Sequence, residues 1–186
     1  MVNLVFDTTA LSHFARAGRL DELKIAVADD QPILLREVAE ELVRGIPNYP
    51  PLGDAMAAEW LQQVEIEELG ELAAFAEYKS ELGGGVEKNN GEAAVLAWVK
   101  INGGIAIIDE VVARNIGSRE CLQVRVSLWL LIRAFKAGFF DRATVEAITD
   151  DLIGTGMRLP IDSGAALFAW AYEAGILPWQ ESDSGN

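Results

Sequence analysis

Three short apolar runs, residues 2–6, 33–35 and 105–108, constrain this chain most tightly. Each is bounded by turn or helix signals, and each is followed by residues with helical spacing. An apolar run this short reads as a strand covered on both faces, which has no polar side to alternate. Val64-Glu65-Ile66 alternates as a weaker fourth strand. Strands interleaved with helices predict an α/β fold: a central parallel sheet of about four or five short strands flanked by helices, with a helix-rich C-terminal part.

The intervening spacing supports that layout. Thr8 or Thr9 is expected to cap a helix running through Leu11, Phe14 and Ala15 and closed by Gly18. Helical patterns follow at 20–28, through Val38 and Leu42 to Gly45, and, after a loop marked by Pro47, Pro50, Pro51 and Gly53, at 54–61. A further helix over 69–82 ends at Gly83-Gly84-Gly85, which reads as a hinge because it lacks the Lys and Ser/Thr of a phosphate-binding loop. Later helices are expected at 92–98, 111–117, 128–137, 141–153 and 165–174. Residues 1–178 read as one domain and 179–186 as a polar C-terminal tail.

Composition narrows the function. Hydrophobic residues make up 51% of the 186, enough for a sizeable core. Asp plus Glu is 29 against 15 Lys plus Arg, a net charge of -14. That balance argues against nucleic-acid binding through a broad basic face, unless bound cations supply the positive charge. Cys121 is the sole cysteine, which excludes an internal disulfide and a multi-thiolate zinc site; its apolar neighbours predict a core position. The N-terminus lacks a basic start followed by a long apolar stretch, and the apolar run 126–132 is far below the roughly 20 residues of a membrane span. The expectation is a cytoplasmic protein with no membrane partner. The five tryptophans show no basic interleaving along the chain, and Trp98 and Trp129 read as core.

The acids carry the chemistry. Asp7 and Asp109 each follow an apolar run directly, and ligands of open parallel sheets bind beyond the carboxyl ends of strands. Either residue could instead simply cap the next helix. Glu92 opens a helix, and Glu41 follows the second strand beside Glu40 and Glu37. Four converging carboxylates repel one another, so the arrangement calls for Mg²⁺ or Mn²⁺, which prefer oxygen ligands. Such ions activate water for phosphodiester hydrolysis, with no role for the single histidine, His13, which reads as a surface or packing residue.

The ordered segments V-F-D-T-T-A-L, V-A-E-E-L, G-E-A-A-V-L-A and I-I-D-E-V-V-A-R resemble the PIN domain, in the branch of small prokaryotic proteins near the VapC-type toxin nucleases. The resemblance runs from about residue 2 to 175, through a closing Gly156-Met157-Arg158-Leu159. It implies a Mg²⁺- or Mn²⁺-dependent endoribonuclease acting on single-stranded or structured RNA. It further suggests a toxin–antitoxin context with an antitoxin protein as partner, and a homodimer. Carried over residue by residue, it places Asp7, Glu41, Glu92 and Asp109 as catalytic and metal-binding, with Glu41 a ligand or a base. Thr9 takes the position that supports the first Asp, Glu110 that of a second strand-end Asp, and Ser127 a later hydroxyl position. Trp129 stands where a Gly is common. The alternative is a catalytically silent PIN-like scaffold that binds a protein partner. A haloacid-dehalogenase-type phosphatase is disfavoured, because Thr9 occupies the place of its second Asp.

Overall fold

The computed structural model describes residues 1–85 and 88–178. Within them β1 (Asn3–Phe6) leads into α1 (Thr8–Arg16) and α2 (Leu20–Ala26). Then β2 (Gln31–Leu35), α3 (Arg36–Gly45), α4 (Leu52–Met56) and β3 (Gln62–Val64) follow. After α5 (Leu69–Leu82) and α6 (Asn90–Asn102) come β4 (Ile105–Ile107), α7 (Val111–Arg119) and β5 (Val124–Arg125). The chain closes with α8 (Ser127–Lys136), α9 (Arg142–Gly154), a 3-10 turn and α10 (Leu167–Glu173). The tail expected at 179–186 lies outside the described residues.

Among the described residues the five strands form one sheet in the order β3-β2-β1-β4-β5, and every pairing is parallel. The α/β expectation therefore holds. Leu4, Val5, Phe6, Leu35, Ala106 and Ile107 are fully buried, because helices cover both faces and leave no solvated side. The chain builds outward from β1 through β2 to β3, then returns to build β4 and β5 on the other flank. The order thus reverses between β1 and β4, the kind of position beyond whose carboxyl ends open parallel sheets bind ligands. Phe6 pairs with Ile107 there, and Asp7 N–H donates to Ile107 O at 3.0 Å.

Four local expectations are corrected. The N-cap of α1 is Asp7, whose Oδ1 accepts from Ala10 N–H at 2.7 Å, while Thr8 and Thr9 lie inside the helix. A carboxylate at a helix start also gains from the macrodipole, which the threonines would not. The helix expected at 54–61 is the shorter α4, and the strand expected at 64–66 is shifted to Gln62–Val64. This edge strand has exposed glutamines, so its apolar pattern is weak. β5 has only two residues, too few for any periodicity to reveal. Cys121 is exposed, not core. It takes the left-handed position after α7 (φ 58), where Leu122 N–H reaches back to Gly117 O at 2.9 Å. A residue in that cap position points away from the helix it terminates.

The connection entering β4 passes close against the backbone of β1. Gly104 has φ +104, and a Cβ there would sit 2.7 Å from Asn3 O. Gly104→Ala should therefore destabilise the protein by about 1–3 kcal/mol, read as a lower urea midpoint with an unchanged slope. An unchanged midpoint would show that the β1–β4 edge does not need this close approach.

Candidate metal centre

Asp7 is fully buried. Its Oδ1 is used by the helix cap, while Oδ2 is buried with no hydrogen-bond partner. A buried carboxylate oxygen left unpaired is costly. Burial pushes the Asp7 carboxyl well above the usual range. The charge of Asp109 adds to the rise, the Ala10 N–H opposes it, Glu92 contributes a smaller push upward, and the Asp109 backbone N–H, which makes no hydrogen bond to Oδ2, a smaller pull downward.

Asp109 follows Ile108 at the end of β4, but it does not cap α7. Glu110 does that, accepting from Val112 N–H at 3.5 Å. Asp109 is anchored instead by the start of α8: Ser127 N–H donates to Oδ1 at 3.0 Å and Ser127 Oγ–H to Oδ2 at 2.5 Å. Burial raises the Asp109 carboxyl, while the two Ser127 donors and the Arg114 charge pull it back without cancelling the rise. Ser127 is itself fully buried. Hence one carboxylate of the pair is firmly held and the other has an open oxygen.

Glu92 sits in the first turn of α6. Burial raises its carboxyl, helped by Glu41 and Glu110 and opposed by its own backbone N–H and by Lys79. Glu41, on α3, accepts from Thr8 Oγ–H and from Gly91 N–H, the latter at 3.1 Å. Gly91 makes this possible: a Cβ there would stand 2.7 Å from Thr8 Oγ1 and 2.9 Å from Glu41 Oε2. Glu40 points elsewhere, into an exposed pair with Arg36 at 3.0 Å.

The structure thus brings Asp7, Asp109 and Glu92 into one electrostatic group, with Glu41 and the exposed Glu110 coupled to it through Glu92. Ser127 stands behind Asp109. Thr9 is not among the cluster's hydrogen bonds; besides Ser127, the hydroxyl that is belongs to Thr8, which donates to Glu41. Neighbouring threonines on a helix point about 100° apart, and D-T-T spacing alone does not say which one faces α3. His13 lies outside the cluster, half-buried, with Nδ1 2.6 Å from Thr155 Oγ1. Burial and then Arg16 lower its pKa to about 4.

Among the described residues no three Asp, Glu, His or Cys groups stand close enough to close a shell around an ion. Mg²⁺ does not require one, since it keeps several waters and takes one or two carboxylates. The all-oxygen donor set and the orphaned Asp7 Oδ2 fit such a hard cation.

A family model described as a PIN domain matches residues 3–168. The chain belongs to the PIN domain family. No curated protein and no solved structure matches the chain significantly. PIN domains are a nuclease fold, typically active as nucleases and generally dependent on divalent metals. No helix among the described residues of this PIN domain is long and apolar enough to cross a membrane.

The raised carboxyls fix the sign of a pH effect. In the unfolded chain these groups titrate at about 4, whereas in the folded PIN domain Asp7 and Asp109 keep protons to higher pH. Between those limits the folded state binds more protons, so the stability of the metal-free protein falls as pH rises. Asp7→Asn should raise the urea midpoint of the metal-free protein at pH 7 and change it little at pH 4. A midpoint at pH 7 that drops would show that burying the Asp7 charge beside Asp109 does not limit stability.

Proposed function

We propose that this PIN domain is a Mg²⁺- or Mn²⁺-dependent endoribonuclease that hydrolyses phosphodiester bonds of RNA. The observation that carries the reading is the buried, unpartnered Asp7 Oδ2 beside Asp109 and Glu92. A scaffold that only bound a protein would gain nothing from this costly oxygen. Asp7, Asp109 and Glu92 are the residues that would hold the ion. A bound divalent cation supplies a water of lowered pKa and offsets charge growing on the phosphate.

The chain's own groups do the rest. Ser127 holds both oxygens of Asp109, so that carboxylate meets the reaction in one orientation. Glu41, fixed by Thr8 and Gly91, is the acceptor for the proton of the attacking water. Neither histidine nor cysteine takes part.

The finer reading is a toxin of a toxin–antitoxin pair, acting as a homodimer in the cytoplasm. Its support is the sequence resemblance to VapC-type nucleases, together with a net charge of -14 that suits a basic antitoxin protein.

The test is cleavage of single-stranded and hairpin RNA with Mn²⁺ or Mg²⁺, with and without chelator. The wild type should cut only with metal. Ser127→Ala should lower the rate by about 10–100-fold, and Asp7→Asn by at least about 100-fold. Metal-dependent cutting that survives Asp7→Asn unchanged would overturn the assignment.

A further inference from the structure

The sequence shows no basic residues interleaved with tryptophans, but the fold assembles them. Trp129 is half-buried on α8, not core, with Arg133 over its ring at 4.9 Å and Arg125 at 5.8 Å. They line a cleft of about 590 Å³ together with Arg114, Lys136 and Trp170. No carboxylate lines it, on a chain that carries 29 acids against 15 cations. Four cations meeting two indoles in one cleft is therefore opposite in charge to the surface at large.

The cations are not all neutralised. Arg133 forms an ion pair with Asp30. Among the described residues Arg114, Arg125 and Lys136 have no ion pair; Arg125 donates to Val124 O at 2.8 Å and Lys136 to Ile176 O at 3.4 Å. Arg114 Nε is buried with no hydrogen-bond partner. The cleft also adjoins the acid cluster. Val126, on its wall, precedes the Ser127 that anchors Asp109, and the Arg114 charge reaches Asp109.

Resting on the ribonuclease reading, we propose that this cleft holds the single-stranded RNA next to the scissile bond. Bases stack against Trp129 and Trp170, and Arg114, Arg125 and Lys136 neutralise its phosphates. Single strands are bound by this pairing of aromatic faces with a cationic track. A guanidinium beside an indole is itself a plane on which a base stacks. Duplex RNA lacks free base faces, so the cleft selects unpaired substrate.

The test needs no catalysis. A short fluorescein-labelled oligouridylate is titrated in excess chelator, reading anisotropy and tryptophan quenching. Wild type should bind with quenching and bind an RNA duplex of equal length more weakly. The double variant Arg125→Glu, Lys136→Glu should weaken binding at least about tenfold and reduce the salt slope by about 1.4. Trp129→Ala should weaken binding about tenfold and lose most of the quench, while Trp129→Phe retains most of the affinity. If Trp129→Ala does not fold, the charge reversal, one of whose sites is exposed on α8, decides alone. Equal binding by the double variant, equal affinity for duplex, or full displacement by polyglutamate at matching affinity would overturn the proposal. Binding that persists while Asp7→Asn and wild type both fail to cut would sink the nuclease reading alone.

Discussion

The parallel pairing of β1 with β4 governs the molecule, because it sets Phe6 beside Ile107 and so delivers Asp7 and Asp109 to one end of the sheet. These strands are adjacent in space but far apart in sequence, and the reversal of strand order falls between them. Burial raises both carboxyls, and the charges of Asp109 and Glu92 add to the rise at Asp7. The fold offsets part of this locally. Ala10 N–H takes one oxygen of Asp7, and Ser127 takes both of Asp109. What it leaves without a hydrogen-bond partner is Asp7 Oδ2. An apolar core elsewhere with residues at 0% exposure on β1, β2 and β4 supplies the stability that tolerates such a site.

The second layer of the site depends on a missing side chain. α3 and α6 approach so closely at Gly91 that Glu41 takes the Gly91 N–H directly, and any Cβ would displace Thr8 and Glu41. The same N–H is an orphan donor at the start of α6, so one contact caps that helix and orients the carboxylate. Glu92 follows immediately on the same turn. Helix capping and site assembly are therefore a single set of hydrogen bonds.

Which parts were legible follows from how local each signal is. β1, β2 and β4 are apolar runs, and the acids Asp7 and Asp109 stand directly after two of them, so strand and site are read together. Sequence does not separate Thr8 from Thr9, because a one-residue shift turns a side chain to another helix face, and only the position of α3 decides which face matters. β5 and the α4–β3 region carry little apolar pattern, since a two-residue strand and an exposed edge bury few side chains. Cys121 looked like core from its neighbours, yet the end of α7 demands a left-handed residue there. The cationic cleft was invisible for a related reason. Arg114, Trp129 and Trp170 come from three separate helices, and no window along the chain contains them together.

On the proposed ribonuclease reading, a net charge of -14 and an RNA substrate are reconciled by distance and placement. At physiological ionic strength exposed charges are screened over about 8 Å, so the acids on the far faces contribute little at the sheet's carboxyl end. What a phosphate meets within that range is decided by the few groups around Asp109. Arg114 belongs to both neighbourhoods, easing the Asp109 charge from one side and lining the cationic cleft on the other. The acidic surface then has a selective consequence. On the proposed reading, the acidic surface disfavours polyanions elsewhere, and the cations of the cleft set where a strand enters.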